Sequence, residues 1–176
     1  MALILDENSY VDLYEADEYF NTRIDSASWF DAGSEEDDSV QEQALVTATR
    51  VIDDQCWIGT AVSSCQTLAW PRKNACYHDC RLNLMVEYAC DEIPVCVKHA
   101  VFEQALHLLM NEDLLSNTRQ SYESISIGSI SLSDSDSSRD IRIPRISPQA
   151  RHCLRNLVER GSGLQNGQGG MWWRTN

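Results

Sequence analysis

The sequence predicts a mainly α protein: a small helical bundle with a β-hairpin arm and extended terminal tails. Three patterns carry that expectation. Apolar residues recur at helical spacing around residues 10–20, 40–52, 97–109 and 150–158. Residues 121–132 instead alternate polar and apolar around one glycine. Residues 161–170 are rich in Gly, Ser, Gln and Asn and lead to Met171-Trp172-Trp173-Arg174. A chain of 176 residues builds one core with dependent extensions, not two ordinary domains. The expected division is a helical core over 1–120, a β-hairpin arm over 121–146, a C-terminal helix over 147–160 and a flexible docking tail over 161–176.

Each element has a local reason. Ala2-Leu3-Ile4-Leu5 reads as a short strand or docking arm. Asn8-Ser9 offers a cap for a first helix over about residues 9–23, whose apolar positions are Tyr10, Leu13, Tyr14, Ala16 and Phe20. Gly33 to Asp38 is polar and acidic, as a surface turn should be. Ser39 and Glu42 form a Ser-x-x-Glu capping box ahead of a stripe of Val40, Ala44, Leu45, Ala48, Val51 and Ile52. Pro71 lacks an amide donor and pushes Trp70 toward extended geometry, so a loop is expected from there to about residue 91. The large aromatic favours a buried, fold-determining turn at Trp70-Pro71-Arg72 over an interface loop.

Asp91-Glu92-Ile93-Pro94 marks the next helix start, with Pro94 in the first turn and acids near the positive end of the helix dipole. Val97, Val101, Ala105, Leu108 and Leu109 line one face, and Phe102, Leu106 and Met110 add a second, as a central bundle helix requires. The stretch with Ile125, Ile127, Ile130 and Leu132 predicts a hairpin or bulged strand pair, with residues 133–138 as its flexible tip. Ser147-Pro148 opens a last helix that turns Ala150, Leu154, Leu157 and Val158 inward and ends at Gly161. In the tail, Trp172, Trp173 and Arg174 are side chains that anchor protein interfaces, and they read as a docking peptide for a partner.

Charge narrows the function classes. Asp and Glu number 27 against 14 Lys and Arg, a net charge of −13, whereas a free-standing DNA binder needs a basic face that releases counterions from phosphates. The N-terminus has no export-signal pattern, and the seven cysteines show no paired framework, so free thiols in a reducing cytoplasm are expected. No apolar run approaches the ~18–20 residues of a membrane span.

Catalytic and metal chemistry find little footing. Cys76, Cys80, Cys90, Cys96 and His99 are zinc-type ligands, but the second pair is spaced too widely for a usual knuckle, and packing thiols are the expected reading. His78, His99, His107 and His152 could each meet a cysteine by accident, and nothing fixes a nucleophile–base pair. The phosphate-loop, dinucleotide and nucleophile-elbow motifs are absent from the sequence. The acid pairs Glu35-Glu36 and Asp53-Asp54 are adjacent, so on a regular helix they diverge. No enzyme, cofactor or metal is expected.

Four segments together resemble a family of small phage proteins often labelled DnaT-like single-stranded-DNA-binding proteins, which are similar to head-to-tail connector adaptors. They are residues 8–20 (Asn-Ser-Tyr-Val-Asp-Leu-Tyr-Glu-Ala-Asp-Glu-Tyr-Phe), 66–72 (Gln-Thr-Leu-Ala-Trp-Pro-Arg), Glu92-Ile93-Pro94 with Val97-Lys98, and 125–132 (Ile-Ser-Ile-Gly-Ser-Ile-Ser-Leu). Leu68-Ala69-Trp70-Pro71-Arg72 is the most specific of these. The resemblance implies a structural virion protein: a ring of twelve copies beneath the portal that joins head to tail and lines the DNA channel. The implied partners are the portal protein, a downstream tail or nozzle protein and further copies of the chain. DNA would pass without specific binding, because an acidic wall repels phosphate. In this picture Trp172, Trp173 and Arg174 dock on the portal, while Ile125, Ile127, Ile130, Leu132, Arg142 and Arg145 make arm and subunit contacts. The expected location is the head–tail junction of the virion, after synthesis in the bacterial host cytoplasm.

Two other readings stand beside it. A single-stranded-DNA-binding protein of phage replication would use the arginines at 139, 142, 145, 151, 155 and 160, but no aromatic stacking platform lies between them. A zinc-stabilised interaction module would carry one equivalent of metal.

Overall fold

The first helix, α1 (Leu13–Asn21), starts later than the apolar spacing suggests because Asp12, not Ser9, caps it. The Asp12 carboxylate accepts from the Glu15 amide at 2.7 Å. Asn8 closes the preceding turn instead, accepting from the Ile4 amide at 2.8 Å and donating to the Ala2 carbonyl at 3.0 Å. Residues 2–5 therefore form no strand, and Leu5 makes only an isolated bridge to Ser9. The computed structural model describes residues 2–33, 38–79, 81–111 and 144–159, together with the backbone of 125–127 and 130–132.

A short helix that the spacing does not announce, α2 (Ala27–Ala32), buries Trp29 against Phe20, the rings stacked at 4.6 Å. The third, α3 (Ser39–Asp53), matches the amphipathic stripe with two corrections. Its N-cap position is Asp38, which makes no side-chain cap bond, so the predicted Ser39–Glu42 box is not what starts the helix. Val40 is 47% exposed, and the buried position beside it is Gln41, whose amide donates to the Trp29 carbonyl at 3.0 Å.

The predicted loop after Pro71 is partly strand. β1 (Thr60–Ala61) pairs antiparallel with β2 (Arg72–Lys73), and β3 (Cys76–Asp79) pairs antiparallel with β4 (Leu84–Glu87). The Asp79 carboxylate organises the second hairpin by accepting from the Arg81 and Leu82 amides at 2.8 and 3.3 Å. A carboxylate turn of this kind leaves no apolar signature in sequence. Gly59, at φ +72°, lies so near this sheet that an added Cβ would stand 2.4 Å from the Lys73 carbonyl oxygen.

The central helix, α4 (Val95–Met110), packs against both α3 and the last helix, α5 (Pro148–Leu154), and also meets α2. Pro94 is its N-cap rather than a first-turn residue, and Asp91 and Glu92 precede the first turn. Val97, Val101, Phe102, Ala105 and Leu106 are buried as expected, whereas Met110 is exposed. Gln104, also buried, donates to the Arg145 carbonyl at 3.0 Å and accepts from the Ser147 amide at 2.8 Å, which pins the start of α5. Ser147 caps α5 through the Ala150 amide, and Ala150, Leu154, Leu157 and Val158 are inward. α5 ends at Leu154, earlier than expected, because the chain turns to bridge Trp57 with Val158.

The described helices share one apolar cluster running from Tyr10 and Phe20 through Leu45, Ile52 and Val101 to Leu154 and Leu157. The alternating stretch forms β5 (Ile125–Ile127) and β6 (Ile130–Leu132), antiparallel with Ile125 opposite Leu132 and Ile127 opposite Ile130, the hairpin the alternation predicts. Residues 34–37 of the turn expected over 33–38, and the tail at 161–176, lie outside the described residues.

Candidate functional site

The motif around Trp70 is built as a three-way junction. The Tyr10 hydroxyl donates to the Asp53 carboxylate of α3, and the same carboxylate accepts from the Ala69 amide at 2.8 Å. Tyr10 Oη in turn accepts from the Trp70 amide at 3.1 Å. Burial, reinforced by Asp53, raises the Tyr10 pKa well above its ordinary value, so the phenol stays protonated and donating. Arg72 completes the junction by donating to the carbonyls of Ile58 and Gly59, both at 2.8 Å, and of Ala69 at 3.2 Å. Trp70 itself is buried edge-to-face against Trp57 and Tyr88. The segment is the structural turn that its aromatic bulk suggests.

That turn forms one wall of a groove of roughly 1000 Å³, closed on the other side by α1 and the start of α4. Tyr10, Leu68, Trp70, Ile93 and Phe102 give it apolar lining, while Asp6, Glu15, Glu18, Asp91 and Glu92 supply carboxylates. The cation among the lining residues is Lys98, engaged by Glu15 at 2.5 Å. Two lining residues keep a buried polar atom without a partner among the described residues: the acceptor Glu15 Oε2 and the donor Trp70 Nε1. Buried polar atoms are ordinarily satisfied, and these two, both screened from solvent, are exceptions. The carboxylates make the groove a poor seat for phosphate and a good one for a cationic side chain. Burial also pushes His99, which lines the groove beside the Tyr19 ring, below its ordinary pKa and favours its neutral form.

Behind this wall, Glu103 of α4 is buried with Tyr19 donating to it at 2.5 Å and Arg23 bridging to it. Burial is the largest influence on Tyr19, and its pKa rises to about 12. Glu103 is a core carboxylate that locks α1 to α4 and gives no sequence signal, since its partners Tyr19 and Arg23 lie 84 and 80 positions away.

The residues singled out from sequence fall as follows. Cys76 and His78 lie on exposed positions of β3, Cys90 is exposed, and Cys96 is partly buried on α4 with Tyr88 Oη 3.8 Å from its sulfur. Burial raises the Cys96 thiol, the behaviour of a packing cysteine. Among the described residues no three His, Cys, Asp or Glu side chains gather to hold a metal. No helix among them is long and apolar enough to cross a membrane. Arg145 is exposed beside the start of α5. The side chains of Ile125, Ile127, Ile130 and Leu132, and all of Cys80, Arg142, Trp172, Trp173 and Arg174, lie outside the described residues. The groove went unnoticed in sequence because its carboxylates come from three separated segments, although Leu68-Ala69-Trp70-Pro71-Arg72 marked its wall.

The described residues define a small, mainly helical protein with short antiparallel strand pairs and an acidic groove. The chain belongs to the family described as "Putative DnaT-like ssDNA binding protein", whose model matches residues 2–171. No curated protein and no solved structure matches it.

Proposed function

We propose that the chain works by docking other proteins, as a non-catalytic head-to-tail adaptor of a tailed phage: a ring, of twelve copies, between portal and tail at the head–tail junction, around a channel through which DNA slides. The acidic groove carries this reading. Its apolar lining and carboxylates suit a basic, apolar protein segment and disfavour a phosphate backbone. Residues 161–176 would bring Trp172, Trp173 and Arg174 to the portal, where many weak anchors on one ring act by avidity. The β5–β6 arm, together with Arg142 and Arg145, would contact neighbouring subunits.

The family description favours a second reading, a single-stranded-DNA-binding protein of phage replication. The comparisons point to DNA and name neither portal nor tail. Arg145 and Arg155 are exposed and Arg151 is partly so, which gives that reading a local basic surface. Against it stand the net charge of −13 and the burial of Trp29, Trp57 and Trp70 in the core, where they cannot stack on bases.

One experiment separates the two. The purified chain is co-sedimented with the portal of the same phage, and separately titrated with fluorescent oligo-dT in physiological salt. Loading of a defined number of copies on the portal ring supports the adaptor. Absence of a complex together with salt-dependent oligo-dT binding replaces it with the DNA reading.

A further inference from the structure

The β3–β4 hairpin carries a surface that its own fold does not use. Leu82, Leu84 and Met85 are 61, 49 and 62% exposed, three large apolar side chains within four positions at the hairpin tip. Arg81 stands beside them with its side chain 90% exposed and its guanidinium 3.5 Å from Asp79. The hairpin's exposed carboxylate, Glu87, sits at the base, where it accepts from the Asn74 amide at 3.0 Å. The tip is therefore an apolar knob with a positive charge.

This is the complement of the groove, which pairs apolar lining with carboxylates from α1 and from the segment before α4. Glu18 and Glu92 are exposed carboxylates there, and a guanidinium is the side chain best shaped to meet carboxylates. Exposed apolar side chains grouped in this way mark contact sites more often than solvated surface.

We propose that the β3–β4 tip of one copy docks into the groove of a second copy of this chain, with Leu84 and Met85 on the apolar lining and Arg81 among the carboxylates. Knob and groove are different surfaces, so the contact is heterologous. A joined pair keeps one free knob and one free groove, and repetition of the contact generates a ring or an open filament. The inference rests on the protein-docking reading of the groove and names its occupant.

The test uses two full-length variants. Met85→Asp spoils the knob at an exposed position, and Glu18→Arg with Glu92→Arg reverses groove charges that are also exposed. Sedimentation velocity should show concentration-dependent assembly of the wild type, and self-association weakened about tenfold or more in each variant, since an unpaired charge is driven into the contact. Circular dichroism and thermal midpoint should stay at wild-type values. Mixing the two variants should give dimers and nothing larger, because only one intact junction forms between an intact knob and an intact groove. A wild type that stays monomeric at millimolar concentration, or variants that assemble as the wild type does, would overturn the inference. If portal loading persists in that case, the adaptor reading stands and only the occupant of the groove is wrong.

Discussion

Tyr10 and Asp53, 43 positions apart, meet through a hydrogen bond that ties the segment before α1 to the end of α3, and through the Ala69 and Trp70 amides to the wall of the groove. Tyr10→Phe removes the donor to a part-buried carboxylate and the acceptor for a buried amide. It should lower stability by about 1–3 kcal/mol in urea denaturation. The same variant should loosen amide protection at Ala69 and Trp70 in hydrogen exchange.

Gln104 is the clamp on the C-terminal segment. Gln104→Leu keeps the volume but leaves the Ser147 amide and the Arg145 carbonyl without their partner. A loss of about 1–3 kcal/mol is expected, with hydrogen exchange accelerated first across residues 147–158. Equal acceleration across α3 would contradict this role.

Arg23→Met leaves the buried Glu103 carboxylate with the Tyr19 hydroxyl alone. Arg23 retains some solvent contact, so the cost should be about 2–3 kcal/mol, below the ~3–5 kcal/mol of breaking a fully buried pair. Adding Glu103→Leu should recover most of the loss, and a thermal-melt series of the three variants reads this directly.

His99 sets a pH dependence. Burial lowers its pKa in the folded state, so near pH 6 the unfolded chain binds the proton more readily. Its contribution to stability is full above the ordinary histidine value and is lost as pH falls through the folded one. His99→Gln should therefore reduce the drop in thermal midpoint between pH 7 and pH 5 relative to the wild type. An unchanged drop would remove His99 as a cause.

The zinc-stabilised alternative has a simple check. Cys76, Cys90, Cys96 and His99 are not gathered into a ligand group, and chelator treatment should leave both the thermal midpoint and the metal content of the purified chain unaltered. One equivalent of zinc released with loss of structure would reverse that reading.

By itself the sequence determined what depends on near neighbours. The 3.6-residue stripes placed α3, α4 and the inward face of α5, and the alternation of residues 125–132 placed the β5–β6 pair, because such periodicity records which side of an element is kept from water. Net charge, a sum over composition, set an expectation against a phosphate-binding surface, while the family description points toward DNA. Tertiary structure decided everything that joins distant positions: Asp12 over Ser9 as the first cap, Gln41 buried in place of Val40, the β3–β4 hairpin within the expected loop, and the buried polar roles of Asp53, Glu103 and Gln104. Residues such as Asp53, Glu103 and Gln104 look like ordinary surface positions until a partner 41 to 84 residues away satisfies them. The groove is of this second kind, assembled from three segments whose carboxylates become one electrostatic feature only when the chain has folded.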